Sequence, residues 1–194
     1  MSTPLRTFIL AAFLPVTALA GDISNSVDPN TLRAEKITPQ MQYLTSEDAF
    51  NLLIVSPEIL FIDVRDPVEI LLGGHPELID AVVPVRLQSN VFNEDLLEWE
   101  LKDNPDFLKY MDAALTEFGK TKGDMIVLTC GSGWRSAFAA GKLYDAGYTD
   151  VWHITDGYDG EEKPGLNSAN AWHLQGFPWS YDAVLGSDNL QIAQ

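Results

Sequence analysis

Cysteine is almost missing from this chain: among 194 residues, Cys130 is the only one. An internal disulfide is therefore excluded, and so is thiol-redox chemistry that needs a C-x-x-C pair or a second, resolving cysteine. Basic residues are also scarce, 12 against 28 acidic ones, for a formal charge of −16. A surface of that sign repels nucleic acid and anionic lipid, so no nucleic-acid partner is expected. It also opposes the approach of small dianions. Three histidines occur, His75, His153 and His173. Their scattered spacing speaks against a metal site, and neither a metal nor an organic cofactor is expected.

Long hydrophobic runs are confined to the N-terminus. Residues 8–20 are almost wholly apolar, but 13 residues interrupted by Pro15 are too few to cross a bilayer. Preceded by Arg6 and followed by Ala18-Leu19-Ala20 ahead of Gly21, the stretch reads as a cleavable export signal over residues 1–20. Cleavage leaves no membrane-inserting segment, so the expected location is the periplasm, with secretion as the alternative. A lone thiol in such an oxidising compartment is buried, paired with another chain, or working.

What the chain does contain is an alternation of apolar runs and helical patterns. Residues 21–40 mix Asn, Asp, Pro and Ser without an apolar period and read as a flexible lead-in. Thr45-Ser46-Glu47-Asp48 offers a capping box for a short helix. Residues 59–64 and 125–129 are continuous apolar runs, the pattern of strands buried on both faces, and residues 81–85 and 151–155 read as further strands. Residues 88–104 are acidic and irregular. Asn104-Pro105 then starts a helix that runs to Phe118, and residues 136–146 form another, closed by Gly147. Buried strands alternating with helices predict an α/β sandwich with a mostly parallel sheet, in which ligands bind outside the carboxyl ends of the strands.

Cys130 lies at one such end. The strand pattern Met125-Ile126-Val127-Leu128-Thr129 breaks there into Gly131-Ser132-Gly133-Trp134-Arg135-Ser136. Two glycines let backbone N–H groups curl inward as an anion nest, the following helix adds its positive end, and Arg135 supplies a cation. All three favour a thiolate. The competing reading is a small hydrophobe that caps a core strand; the glycine loop tips the balance toward chemistry.

These residues, taken in order, resemble the rhodanese, or sulfurtransferase, family. Asp63-Val64-Arg65 with Glu69 is similar to its D-x-R-x-x-x-E signature, and Gly74-His75, Ala81 and Pro84 are similar to its G-H-I-x-G-A-x-x-x-P. The Cys130 loop, Gly147-Tyr148, Asp156-Gly157, Trp172 and Gly176-Phe177-Pro178 extend the likeness. The resemblance implies a three-layer sandwich with helices on both faces of the sheet. Its domain would span residues 41–181, followed by a tail at 182–194. It further implies that Cys130 takes sulfane sulfur from a donor, holds it as a persulfide in a loop of residues Gly131 to Ser136, and passes it to a thiol or cyanide. Asp63, Arg65 and Glu69 would support the site, the first two structurally. Two other readings are a non-enzymatic persulfide carrier and a protein-binding module.

Ring size separates this family from cysteine phosphatases, which use C-x5-R; here Cys130 to Arg135 is C-x4-R. The smaller ring suits one sulfur atom better than a phosphoryl group. Thiosulfate sulfurtransferases of the tandem-domain kind place basic residues where this chain has Glu69 and Ser132. Thiosulfate is thus expected to serve as an assay donor only, with a persulfide, polysulfide or partner protein as the donor in the cell. Trp134 is expected either to stack over a substrate at the pocket mouth or to pack on the C-terminal segment. Asp80 stands where the family usually has glycine.

Overall fold

The structure is a computed structural model that describes residues 23–95, 97–161 and 169–182. The expected export signal and all but the first residue of the expected tail lie outside the described residues. Along the chain run β1 (Tyr43–Leu44), α1 (Ser46–Val55), β2 (Leu60–Asp63), α2 (Pro67–Gly73), β3 (His75–Pro76), β4 (Ala81–Val82), β5 (Arg86–Asn93), β6 (Glu98–Asp103), α3 (Phe107–Glu117), β7 (Ile126–Thr129), α4 (Trp134–Asp145), β8 (Val151–Ile154) and β9 (Trp179–Ser180). Five strands form one sheet in the order β1-β8-β7-β2-β4, and every pairing in it is parallel.

Strands buried on both sides need cover on both sides, and alternate residues feed two cores. Leu60, Ile62, Ile126 and Leu128 pack with Phe107 and Met111 of α3 and with Ala139, Ala140 and Leu143 of α4. Phe61 and Val127 face the other way, toward Ala49 and Leu53 of α1, Ile70 of α2 and the fully buried Trp172. The three-layer α/β sandwich expected from the sequence is the observed architecture.

Differences from expectation have local causes. Residues 88–104 are not irregular: β5 and β6 pair as an antiparallel hairpin, with Phe92 and Trp99 edge to face at 5.2 Å across the strands. Polar and apolar residues mix there on a ribbon wetted on most of its surface, so no apolar run announces it. The strand expected over 81–85 shortens to Ala81–Val82, because Pro84 has no N–H to donate, although Val83 and Val85 still bond to Asp63 and Val64. The lead-in is placed from residue 23 by two 3₁₀ turns, Pro29–Thr31 and Ala34–Lys36. Polar anchoring does this: the buried Lys36 ammonium donates to the Thr155 carbonyl at 3.0 Å. Thr45 caps α1 by accepting from the Asp48 N–H, but its own N–H donates to Ser26, so the expected box is half made.

Candidate functional site

Cys130 stands just past β7, at the carboxyl edge of the sheet, and α4 begins four residues later. Between them the backbone turns at Gly133, the N-cap of α4, with φ at 94°. A Cβ there would lie 2.3 Å from the Thr155 carbonyl oxygen, so only glycine lets the loop press this closely on the end of β8. The segment after β8 clamps the loop from a second side. Tyr158 N–H donates to the Cys130 carbonyl at 2.7 Å, and the Asp159 and Gly160 N–H groups donate to the Gly131 carbonyl at 2.8 and 3.0 Å.

The sulfur is fully buried and lies among donors. Gly133 N–H reaches Sγ at 3.1 Å and Ser136 N–H at 3.4 Å, while the thiol itself is 3.6 Å from Ser136 Oγ. Trp134 and Arg135 open α4 two residues earlier than the sequence pattern indicates. Their N–H groups have no carbonyl one turn back, so the positive end of α4 sits beside the sulfur. Gly131 is buried and Ser132 is half-buried on the same loop.

Arg135 is a positive neighbour of Cys130, and it is also paired. Its guanidinium is turned to Glu69, with Nη1 on Oε2 and Nη2 on Oε1 at 2.7 Å. Burial works against the charge of Arg135, but the Glu69 hydrogen bonds and the pull of Cys130, Glu69 and Asp63 together outweigh it, so its pKa is raised. Burial likewise opposes ionisation of Glu69, but the bond and charge of Arg135, with the Asp66 N–H and Arg65, together hold Glu69 below the ordinary carboxylate range. A cation matched in this way is not a free cation for an incoming dianion. Glu69 also completes a capping box on α2, accepting from Asp66 N–H while Asp66 caps the helix.

Asp63 and Arg65 form a buried pair, Nη2 to Oδ2 at 2.7 Å, and Arg65 also donates to the Gly74 carbonyl at 2.8 Å. With both charges inside, each is tolerable only because of the other. They brace the loop end of β2 and do not touch the sulfur directly in any recorded hydrogen bond among the described residues. Trp134 is half-buried, and the Arg86 guanidinium lies 5.2 Å from its ring. Asp80 uses its carboxylate to accept from Phe61 N–H at 2.8 Å, a bond that no glycine could make.

Two residues at the site escaped sequence reasoning. Asp159 lies over the loop: a Cβ built on Gly131 would meet its Oδ2 at 3.3 Å and Arg135 Nη2 at 3.2 Å. Burial raises its pKa against the pull of Arg65, whose Nη1 is 3.5 Å away. Its position just beyond the carboxyl end of β8 was the available signal. His153, set aside because it fits no metal pattern, is buried beside Ser136, with Nδ1 3.3 Å from Oγ. His75 and His173 bond to backbone carbonyls instead. Among the described residues no group of His, Cys, Asp or Glu gathers as a metal site would require, and no helix is long and apolar enough to cross a membrane.

The structure is thus a parallel α/β sandwich that ends a central strand in a cysteine and wraps that sulfur in a short glycine loop on a helix N-terminus. The sequence pattern of the Rhodanese-like domain matches residues 46–162, more than half of the chain, and the protein belongs to that family. An uncharacterized protein of Rickettsia prowazekii, RP600, is 27% identical over 143 residues, covering 73% of this chain and 98% of its own length. The crystal structure of Rv0390 from M. tuberculosis is similar at a TM-score of 0.55 and 25% identity, over 73% of this chain and 98% of that one. A thiosulfate sulfurtransferase from Pseudomonas aeruginosa aligns at a TM-score of 0.49 and 18% identity, over 75% of this chain and 21% of that one.

Proposed function

We propose that the protein is a sulfurtransferase that moves sulfane sulfur through a persulfide on Cys130. The observation that carries this reading is the sulfur held at the strand end by the Gly133 and Ser136 N–H groups. Two donors aimed at one sulfur stabilise its anion, and charge-assisted bonds of this kind contribute about 1.5–3 kcal/mol each. In the first half-reaction the Cys130 thiolate attacks the outer sulfur of a donor persulfide, R–S–SH. The donor's S–S bond breaks, R–S⁻ leaves, and Cys130–S–SH forms. In the second, an acceptor thiolate or cyanide takes that outer sulfur and the Cys130 thiolate departs. The sulfur atom changes hands with no net oxidation, so no cofactor is called for.

The donor we favour is a small persulfide or polysulfide, or a protein persulfide, in place of free thiosulfate. Arg135 is bonded to Glu69, Arg65 to Asp63, and Asp159 adds a further carboxylate over the loop. A mouth so furnished has little to offer a dianion. Residues 1–20 are read as an export signal, which would put this exchange in the periplasm or outside the cell.

Intact-mass measurement after treatment with a persulfide donor tests the reading. One sulfur should be gained on Cys130, lost again on addition of cyanide with release of thiocyanate, and absent in Cys130→Ser. Steady turnover distinguishes an enzyme from a carrier that is loaded once. The thiosulfate KM should exceed about 1 mM, beyond the usual range; a low micromolar KM would refute the proposed donor. Failure to gain sulfur from any donor would refute the function itself.

A further inference from the structure

A buried polar pair adjoins the sulfur, and its protons can be counted. His153 is completely buried, and its Nε2 lies 3.0 Å from the Lys36 carbonyl oxygen. A carbonyl only accepts, so Nε2 carries the hydrogen. Burial keeps the ring neutral, its pKa pushed down to about 4, and Nδ1 is therefore a bare lone pair. The group facing it is the Ser136 hydroxyl at 3.3 Å, which also faces the Gly133 carbonyl at 2.9 Å. One hydroxyl proton is shared between two acceptors, neither of which is sulfur. What Ser136 turns toward Cys130, 3.6 Å away, is an oxygen lone pair.

We infer that Ser136 and His153 are positioning residues that favour the Cys130 thiol over its thiolate, Ser136 Oγ accepting the S–H while His153 fixes the direction of the serine hydroxyl. An oxygen lone pair attracts S–H and repels a thiolate. For Ser136 to stabilise the thiolate, its hydroxyl must swing onto sulfur and leave Nδ1 without a donor in a dry site, which is costly. The pair thus opposes the two loop N–H groups and makes the thiol less reactive at rest. Of the nearby charges, Arg135 is close enough to the sulfur to attract a thiolate, but each cation around the site is shared with another acceptor. Arg135 from α4 meets Glu69 from α2, Arg65 meets Asp63 at the end of β2, Asp159 follows β8, and the Lys36 ammonium turns to Thr155 and Glu161. Such latency would spare a lone thiol from alkylation and oxidation. The inference concerns the sulfur-transfer cysteine but stands on its thiol alone, so it can fail or hold independently of that reading.

The pH dependence of Cys130 alkylation by iodoacetamide is the test. The thiolate attacks the reagent's carbon, iodide leaves, and the thiol proton goes to buffer, so the midpoint of the rate profile reports the thiol. The high-pH plateau reports access. Ser136→Ala and His153→Leu are each expected to lower the midpoint by about one pH unit, raising the rate below the midpoint about tenfold with the plateau unchanged. A midpoint that rises in Ser136→Ala would mean that the hydroxyl donates to the thiolate, and an unmoved midpoint would mean that it does neither; either result overturns the inference. Since His153→Leu alters the core, nitrogen NMR of the imidazole in the wild-type protein supplies a second measurement. A proton on Nε2, a bare Nδ1, and a Nδ1 signal that shifts when Cys130 titrates are expected. A ring protonated on Nδ1 would sink the proposal.

Discussion

Glu69 links α2 to the loop that carries Cys130. It closes the N-terminus of α2, matches the charge of Arg135, and leaves the mouth with a carboxylate where a dianion site would have a cation. His153 is the other residue whose chemistry reaches beyond its place. Buried and neutral, with its pKa near 4 against an ordinary 6.5, it binds a proton in the unfolded chain before it does in the folded one. Its contribution to stability is therefore fully present above about pH 6.5 and is lost as pH falls toward 4, on the order of 3 kcal/mol across that window. Urea unfolding at stepped pH should show this loss in the wild-type protein and a flatter profile in His153→Gln. Equal slopes would mean that the ring is not buried neutral. The half-buried carboxyls Asp80 and Asp156, raised by desolvation, work in the opposite sense.

At the scale of elements, the decisive feature is the junction of β7, the loop and α4 against the end of β8. Gly133 holds a left-handed conformation within touching distance of Thr155 and also donates to the sulfur. Gly133→Ala should therefore damage two things together. The backbone strain costs about 1–3 kcal/mol, and the loop must lift from β8, which draws its N–H off Cys130. A lower denaturation midpoint with sulfur loading cut at least about tenfold is the expected pair of results; normal loading in a destabilised protein would separate loop geometry from function. The hairpin β5–β6 contrasts with this junction. Its root is tied in, Gln88 N–H donating to Asp66 at 2.7 Å and Arg86 resting on Trp134 and Phe138. Farther along, Leu97 and Trp99 are exposed.

At the scale of the whole molecule, the excess of acid governs who can approach. With a formal charge of −16, the field extends about 30 Å from the surface at 0.01 M salt and about 8 Å at 0.15 M. The second-order rate with thiosulfate as donor should therefore rise several-fold over that range, while alkylation of Cys130 by uncharged iodoacetamide stays level. A thiosulfate rate that falls with salt would mean that local cations steer the anion in, against the pairing of Arg135 with Glu69 and of Arg65 with Asp63.

The sequence by itself determined the sheet, because strands buried on both faces must be written as unbroken apolar runs such as 59–64 and 125–129. It determined the place of Cys130 too, since a glycine loop after such a run can only sit at the sheet's carboxyl edge. The hairpin was not legible: one wet ribbon of mixed polar and apolar residues has no run to read. Charge pairing was not legible either. Arg135 and Glu69 are far apart in the chain, and only the packing of α2 against the start of α4 makes an apparent free cation into half of an ion pair. The same holds for His153, whose spacing says nothing until β8 lies beside α4 and brings the ring to Ser136. Periodicity is a local property and survives in one dimension; hydrogen-bond partners across strands and helices exist only once the chain has closed.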